Sequence, residues 1–125
     1  MSAPHAQVLK ARALAPLLAE QGAEINRRRE LTPEVVRALI EGGFFRMLQP
    51  RSVGGMELHP SIFAQVTEAI SAADGSTAWV VCQGNGCAMS AAYLDPAVAL
   101  AMFGPSNGIL AWGPPGPYEA RRVEG

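Results

Sequence analysis

Ala72-Ala73-Asp74-Gly75-Ser76-Thr77-Ala78-Trp79-Val80-Val81-Cys82-Gln83-Gly84-Asn85-Gly86-Cys87-Ala88-Met89-Ser90-Ala91-Ala92-Tyr93-Leu94 holds one charged side chain, Asp74, near its start. Asp74 followed by Gly75, Ser76 and Thr77 is a helix-opening signal, because short oxygen-bearing side chains satisfy the free N–H groups of a first turn. A helix with no charged face is expected to be buried. Gly84 and Gly86 lie inside it, where each costs about 1 kcal/mol against Ala. Glycine at such positions lets a backbone or a flat ligand come close. Gln83, Asn85 and Cys87 add polar atoms that need partners if buried. The element reads as one wall of a pocket.

Outward from this wall the chain reads as further helices. Pro4 to Arg29 forms one long helical pattern, with Val8, Ala11, Ala15, Leu18 and Ile25 in an apolar stripe flanked by Leu14 and Leu17. Arg27, Arg28 and Arg29 close it and complement the macrodipole. Thr32-Pro33-Glu34 opens the next helix, whose buried stripe is Val35, Val36, Leu39 and Ile40, and Gly42-Gly43 ends it. Phe44 to Leu48 is an apolar run leading to Pro50, and the Arg51-Ser52-Val53-Gly54-Gly55 loop has no phosphate-loop context. A third helix starts at Pro60 and runs to about Ala73, with Ile62, Phe63, Val66 and Ile70 inside. Asp95-Pro96 opens a short helix through Ala97, Leu100 and Phe103, stopped by Gly104-Pro105. Gly108 to Trp112 has strand character, Gly113-Pro114-Pro115-Gly116-Pro117 is a rigid loop, and Tyr118 to Glu124 reads as half a hairpin turning at Glu124-Gly125. The expectation is an all-α bundle of about five helices over residues 1–107. Residues 108–125 would then be the first strand and loop of a β-domain continuing beyond this sequence.

The 125 residues suit one domain, and 49% hydrophobic against 17% charged residues leaves some apolar surface for a partner or for further chain to cover. A net charge of −1 gives no electrostatic case for nucleic acid. No apolar run reaches a membrane span and the N-terminus lacks signal-peptide character, so the expected compartment is the cytoplasm. Cys82 and Cys87, five apart on one helix, do not favour a disulfide, and with His5 and His59 far apart in sequence they make no metal site by spacing.

The order of these elements resembles the N-terminal helical domain of the acyl-CoA dehydrogenase superfamily of flavoenzymes. The resemblance is carried by Gly43-Phe44-Phe45-Arg46-Met47-Leu48-Gln49-Pro50, the Val53-Gly54-Gly55 turn, the Ala72 to Trp79 helix start and the Trp112 to Gly116 loop. Dehydrogenases of the superfamily usually carry a Thr-Glu-Pro segment in the first strand loop. Here Ala111-Trp112-Gly113-Pro114-Pro115-Gly116 stands instead, which with Ser76-Thr77-Ala78-Trp79 is similar to its flavin-dependent aromatic monooxygenases. That resemblance implies FAD or FMN, reduced by a separate flavin reductase, with dioxygen and a small aromatic or heterocyclic substrate. It also implies a homo-oligomer. Trp79, Gln83, Asn85 and Cys87 would line the substrate pocket, Trp112 and Gly113 would meet the flavin, and no catalytic residue is carried over. The flavin contacts and catalytic groups of such enzymes lie largely outside these residues, so the 125-residue chain alone is expected to be inactive and not to hold flavin. Two alternatives stand beside this reading: an acyl-CoA dehydrogenase oxidising an acyl thioester with FAD, and a stand-alone helical module that self-associates through the Ala78–Leu94 face.

Overall fold

The computed structural model describes residues 3–114, 116–119 and 121–124. Its helices are α1 (Ala6–Ala13), α2 (Ala15–Arg28), α3 (Pro33–Glu41), α4 (Pro60–Ser71), α5 (Gly75–Ala88) and α6 (Pro96–Phe103), with 3₁₀ turns at Arg51–Val53 and Met89–Tyr93. The fold is all-α.

The caps form at the residues that signalled them. Thr32 Oγ1 accepts the Val35 N–H, Asp74 Oδ2 accepts the Thr77 N–H at 2.6 Å, and Asp95 Oδ1 accepts those of Ala97 and Val98. His5 and His59 cap α1 and α4 through Nδ1. Gly42-Gly43 ends α3 as expected. Gly43 turns left-handed at φ +74°, its N–H bonds the Ile40 carbonyl, and the Phe44 N–H reaches back to the Leu39 carbonyl. This double closure is a Schellman motif, and Phe44 is buried by it.

Four sequence expectations change. The long first helix is broken at Leu14, because Pro16 has no N–H to continue the ladder and its ring crowds the preceding turn. The strand expected over 108–112 does not form, and no strand forms among the described residues. A strand needs a paired edge, and residues 109–112 lie against α5 instead. Of the loop and hairpin expected next, Pro115, Ala120 and Gly125 lie outside the described residues. In α6 the buried positions are Ala99 and Phe103, while Leu100 faces outward at 57% exposure. Finally, α5 is buried on one face only: Thr77, Ala78, Val81, Gly84, Asn85 and Ala88 point inward, whereas Trp79 and Val80 are exposed.

The main core joins Val8, Leu18, Ile25, Val35, Leu39, Phe44, Met47, Val66, Ile70 and Val81, with α4 between α1 and α5. A smaller cluster of Val53, Ala88, Ala91, Ala99 and Phe103, with Leu110 against it, seats α6 beside the end of α5. The arginines closing α2 are surface cations. Arg27 and Arg28 pair with Glu24 and Glu30, and the Arg27 hydrogen bond holds the Glu24 carboxyl below the usual carboxylate range.

Candidate functional site

The outer face of α5 and the chain following α6 enclose an open cleft of about 230 Å³. It is lined by Trp79, Val80, Gln83 and Gly84 from the helix and by Ile109, Leu110, Ala111 and Trp112 from the crossing segment. The helical spacing of 79, 80 and 83 puts these three residues on one face, and Gly84 lies at its border with the buried side. Gly84 lies under the crossing: a Cβ there would press on the Phe45 ring at 3.2 Å and make ordinary contact with the Leu110 carbonyl oxygen at 3.5 Å. Trp112 Nε1 donates to Gln83 Oε1, so the two elements are tied at the mouth of the cleft. Both indoles remain accessible, Trp79 at 65% and Trp112 at 57% exposure. Chemically this is an aromatic and aliphatic shelf with one amide–indole bond across it. Among the described residues, no ionisable side chain lines it.

Of the residues singled out from the sequence, Trp79, Gln83 and Trp112 therefore meet at one place. Gly113 follows directly, with no atom near the position a Cβ would take. Asn85 lies on the opposite, fully buried side of α5. Its Nδ2 donates to the carbonyls of Phe44 at 2.7 Å and Val81 at 2.8 Å, and its Oδ1 accepts the Leu48 N–H at 3.1 Å. Its amide is taken up by the Phe44–Leu48 turn and by the preceding turn of α5, away from the cleft. Cys87 is half-buried and a free thiol one turn beyond Gln83, outside the cleft lining.

Gly84 and Gly86 divide along the same line. Gly86 is exposed and a Cβ there would meet nothing within 4 Å, so no close approach accounts for it. Gly86→Ala is expected to raise stability by about 0.5–1 kcal/mol, the ordinary helix-propensity gain. Gly84→Ala is expected to gain nothing, because the Phe45 ring must yield. Thermal midpoints of the two variants check the contrast, and equal gains would remove the packing role from Gly84.

Arg46 and Gln49 belong to the Gly43–Pro50 motif, but nothing in the sequence around them signals their partners. Arg46 donates to the carbonyls of Val53 (2.9 Å), Gly54 (3.1 Å), Pro105 (3.0 Å) and Gly104 (3.4 Å). Gln49 Nε2 donates to Val53 at 2.8 Å and to Phe103 at 2.9 Å. Carbonyls distant in sequence leave no local pattern to read.

A second cleft, of about 500 Å³, opens on the other side of Trp79 between the end of α2 and the start of α5. Its lining includes Ile25, Asn26, Arg29, Leu31, Ser76 and Val80, so Trp79 and Val80 form the ridge between the two clefts.

Residues 9–105, from the middle of α1 to just past the end of α6, match the family described as acyl-CoA dehydrogenase, N-terminal domain. The chain belongs to this family. Among relatives of this acyl-CoA dehydrogenase-type domain, the flavin-dependent monooxygenase oxygenase subunit HsaA of Rhodococcus jostii (strain RHA1) is 41% identical over 68 residues. Those residues are 54% of this chain and 18% of that protein. The indole-3-acetate monooxygenase of Pseudomonas putida is 39% identical over 71 residues, 57% of this chain and 17% of that protein. The pigment production hydroxylase of a Rhodococcus species is 35% identical over 68 residues, again 54% and 18%. The match thus spans 17–18% of the length of these curated relatives. No solved structure matches this chain significantly. Among the described residues, no helix is long and apolar enough to cross a membrane.

Proposed function

We propose that this chain is the N-terminal helical domain of a flavin-dependent oxygenase, and that the α5 cleft contributes one wall of its substrate and flavin chamber. The observation that carries this reading is the cleft itself. Two exposed indoles, Trp79 on α5 and Trp112 on the segment that crosses it, flank an aliphatic shelf that stays open to solvent. Such a surface suits the flat face of an aromatic ring, which gains from stacking and from release of water. The names of the similar proteins, all oxygenases or a hydroxylase, favour oxygenation over acyl thioester oxidation.

The chain's own residues fit a flavin as a partial wall. Trp112 offers a ring face, and the open backbone at Gly113 leaves room for a close approach to a flat group. Trp79 and Val80 would exclude water from the substrate side, and Gln83 would fix the Trp112 indole through its carbonyl oxygen. A bound flavin, FAD or FMN, would supply electron transfer and activation of dioxygen. Residues 108–125 are proposed to lead into a β-domain, with the remaining walls coming from further chain and from a homo-oligomer. The reductant would come from a separate flavin reductase, and the substrate would be a small aromatic or heterocyclic molecule.

The test is to read the natural gene past codon 125, express the whole product, and supply reduced flavin under isotopically labelled dioxygen. Incorporation of one labelled oxygen into an indole or phenol is the expected result. Electron withdrawal from an acyl thioester without oxygen incorporation would replace this reading with the dehydrogenase one. A stop codon after Gly125 would overturn both.

A further inference from the structure

We propose that Arg46 is the positioning residue of the cleft. It fixes the course of the segment that carries Trp112, with Gln49 as its second anchor. The path of that segment can be followed bond by bond. α6 ends at Phe103, whose carbonyl is held by Gln49. The next two carbonyls, Gly104 and Pro105, are held by Arg46. The Pro105 carbonyl also accepts the Gly108 N–H at 3.0 Å, which reverses the chain toward α5. Leu110 then packs on the Val53, Ala88 and Phe103 cluster, its carbonyl passes over Gly84, and Trp112 reaches Gln83.

Among the described residues, no other hydrogen bond between 103–112 and the Phe44–Leu58 region or α5 restrains this passage. A guanidinium is suited to the task. Its planar fork offers five N–H donors and no acceptor, so it can gather carbonyls from two loops at once, and hydrogen bonds from a charged donor are stronger than neutral ones. The other loop it holds, Val53–Gly54, is itself turned left-handed at Gly54 and closed by the Gly54 and Gly55 N–H groups. Arg46 thereby joins a rigid turn to a segment that has no secondary structure of its own. Without this junction the Leu110 carbonyl and the Trp112 indole lose their registration over α5, and the cleft loses its second wall. Arg46 places the segment in this way whatever ligand the cleft takes.

The two tryptophans of the chain make the test direct. In a Trp79→Phe background, Trp112 is the sole indole reporter. Arg46→Met keeps the aliphatic stem and removes the donors. Arg46→Lys keeps the charge as a single point donor that cannot span both loops. The expected result is that acrylamide quenching of Trp112 rises about two-fold in Arg46→Met, with a fall in its anisotropy, at temperatures where circular dichroism still reports the full helix content. Arg46→Lys should fall between that variant and the parent. Gln83→Leu, which cuts only the indole–amide bond, calibrates the change from losing the last link alone. An Arg46 that merely stabilised the fold would lower the thermal midpoint and leave the Trp112 signal of the folded protein untouched, and that result overturns the proposal. Should Arg46→Met fail to fold, Arg46→Lys decides alone: increased quenching supports the positioning role, and parental quenching removes it.

Discussion

Asn85→Asp is expected to destabilise the fold by about 3–5 kcal/mol at neutral pH, the range for an uncompensated charge left in a protein interior. Asn85 is fully buried, and its geometry is specific in sign. Two carbonyls, of Phe44 and Val81, accept hydrogen bonds from Nδ2, and the Leu48 N–H donates one to Oδ1. A carboxylate can still accept from Leu48 but sets a negative oxygen against two carbonyl oxygens. Protonation relieves part of this, because the neutral acid regains one donor for Phe44. The introduced carboxyl therefore has a folded pKa raised above its unfolded value of about 3.9. For a raised pKa the stability contribution is fully present below the unfolded pKa and is lost as pH rises through the folded one. The penalty relative to the parent should accordingly be smallest near pH 4 and grow toward pH 7. Asn85→Leu provides the contrast. It orphans the Leu48 N–H and the Phe44 carbonyl, costing about 2–3 kcal/mol, with no such pH dependence. Urea midpoints across pH measure both variants, and a flat profile for Asn85→Asp would mean that water reaches the site.

The same residue marks how much of the molecule is legible in its sequence. Caps and stops are local chemistry, so Thr32, Asp74, Asp95, Pro33, Pro60 and the Gly42-Gly43 stop are all readable from neighbouring residues alone. The need of Asn85 for partners is also legible, because a polar amide on an uncharged helix cannot stay unpaired. Which side of α5 it faces is not. Six residues separate Trp79 from Asn85, nearly two helical turns with an offset of more than half a turn, and only packing shows which face is covered. The exposed aromatic face is hidden for a related reason. A helix without charges reads as buried on every side, yet here Trp79 and Val80 stand open while Thr77, Val81 and Asn85 do not. Gly84 carries a true signal of close approach, and Gly86 an identical one without the contact. Residues 108–112 have the composition of a strand, but composition cannot supply the partner that makes one. Arg46 is the least legible, since its partners are backbone carbonyls up to 59 residues away.

Among the described glycines, Gly55→Ala should be the most damaging substitution by alanine, costing about 3 kcal/mol or more through forced backbone displacement. The usual expectation places the greater penalty at Gly54, which sits at φ +80° where an L-residue is strained by roughly 1 kcal/mol. At Gly54, however, the nearest atom to a new Cβ is a terminal nitrogen of Arg46 at 2.8 Å, and a side-chain end can move. At Gly55 the new methyl would overlap the backbone carbonyl group of Gln49, which has nowhere to go. The Gln49 carbonyl accepts the Glu57 N–H at 3.1 Å, and Gly55 itself donates to Pro50 at 2.9 Å, so both sides of the collision are pinned. Any displacement of Gln49 also pulls its side chain from Val53 and Phe103, and a shift of the loop pulls Val53 and Gly54 from Arg46. The damage should thus travel from the turn to the Trp112 segment. Two measurements check this: the denaturation midpoint of Gly55→Ala should lie well below that of Gly54→Ala, and its Trp112 fluorescence should shift before global unfolding begins. The reverse order of midpoints would mean that φ strain, and not the closeness of the Gln49 backbone, is what requires glycine in this turn.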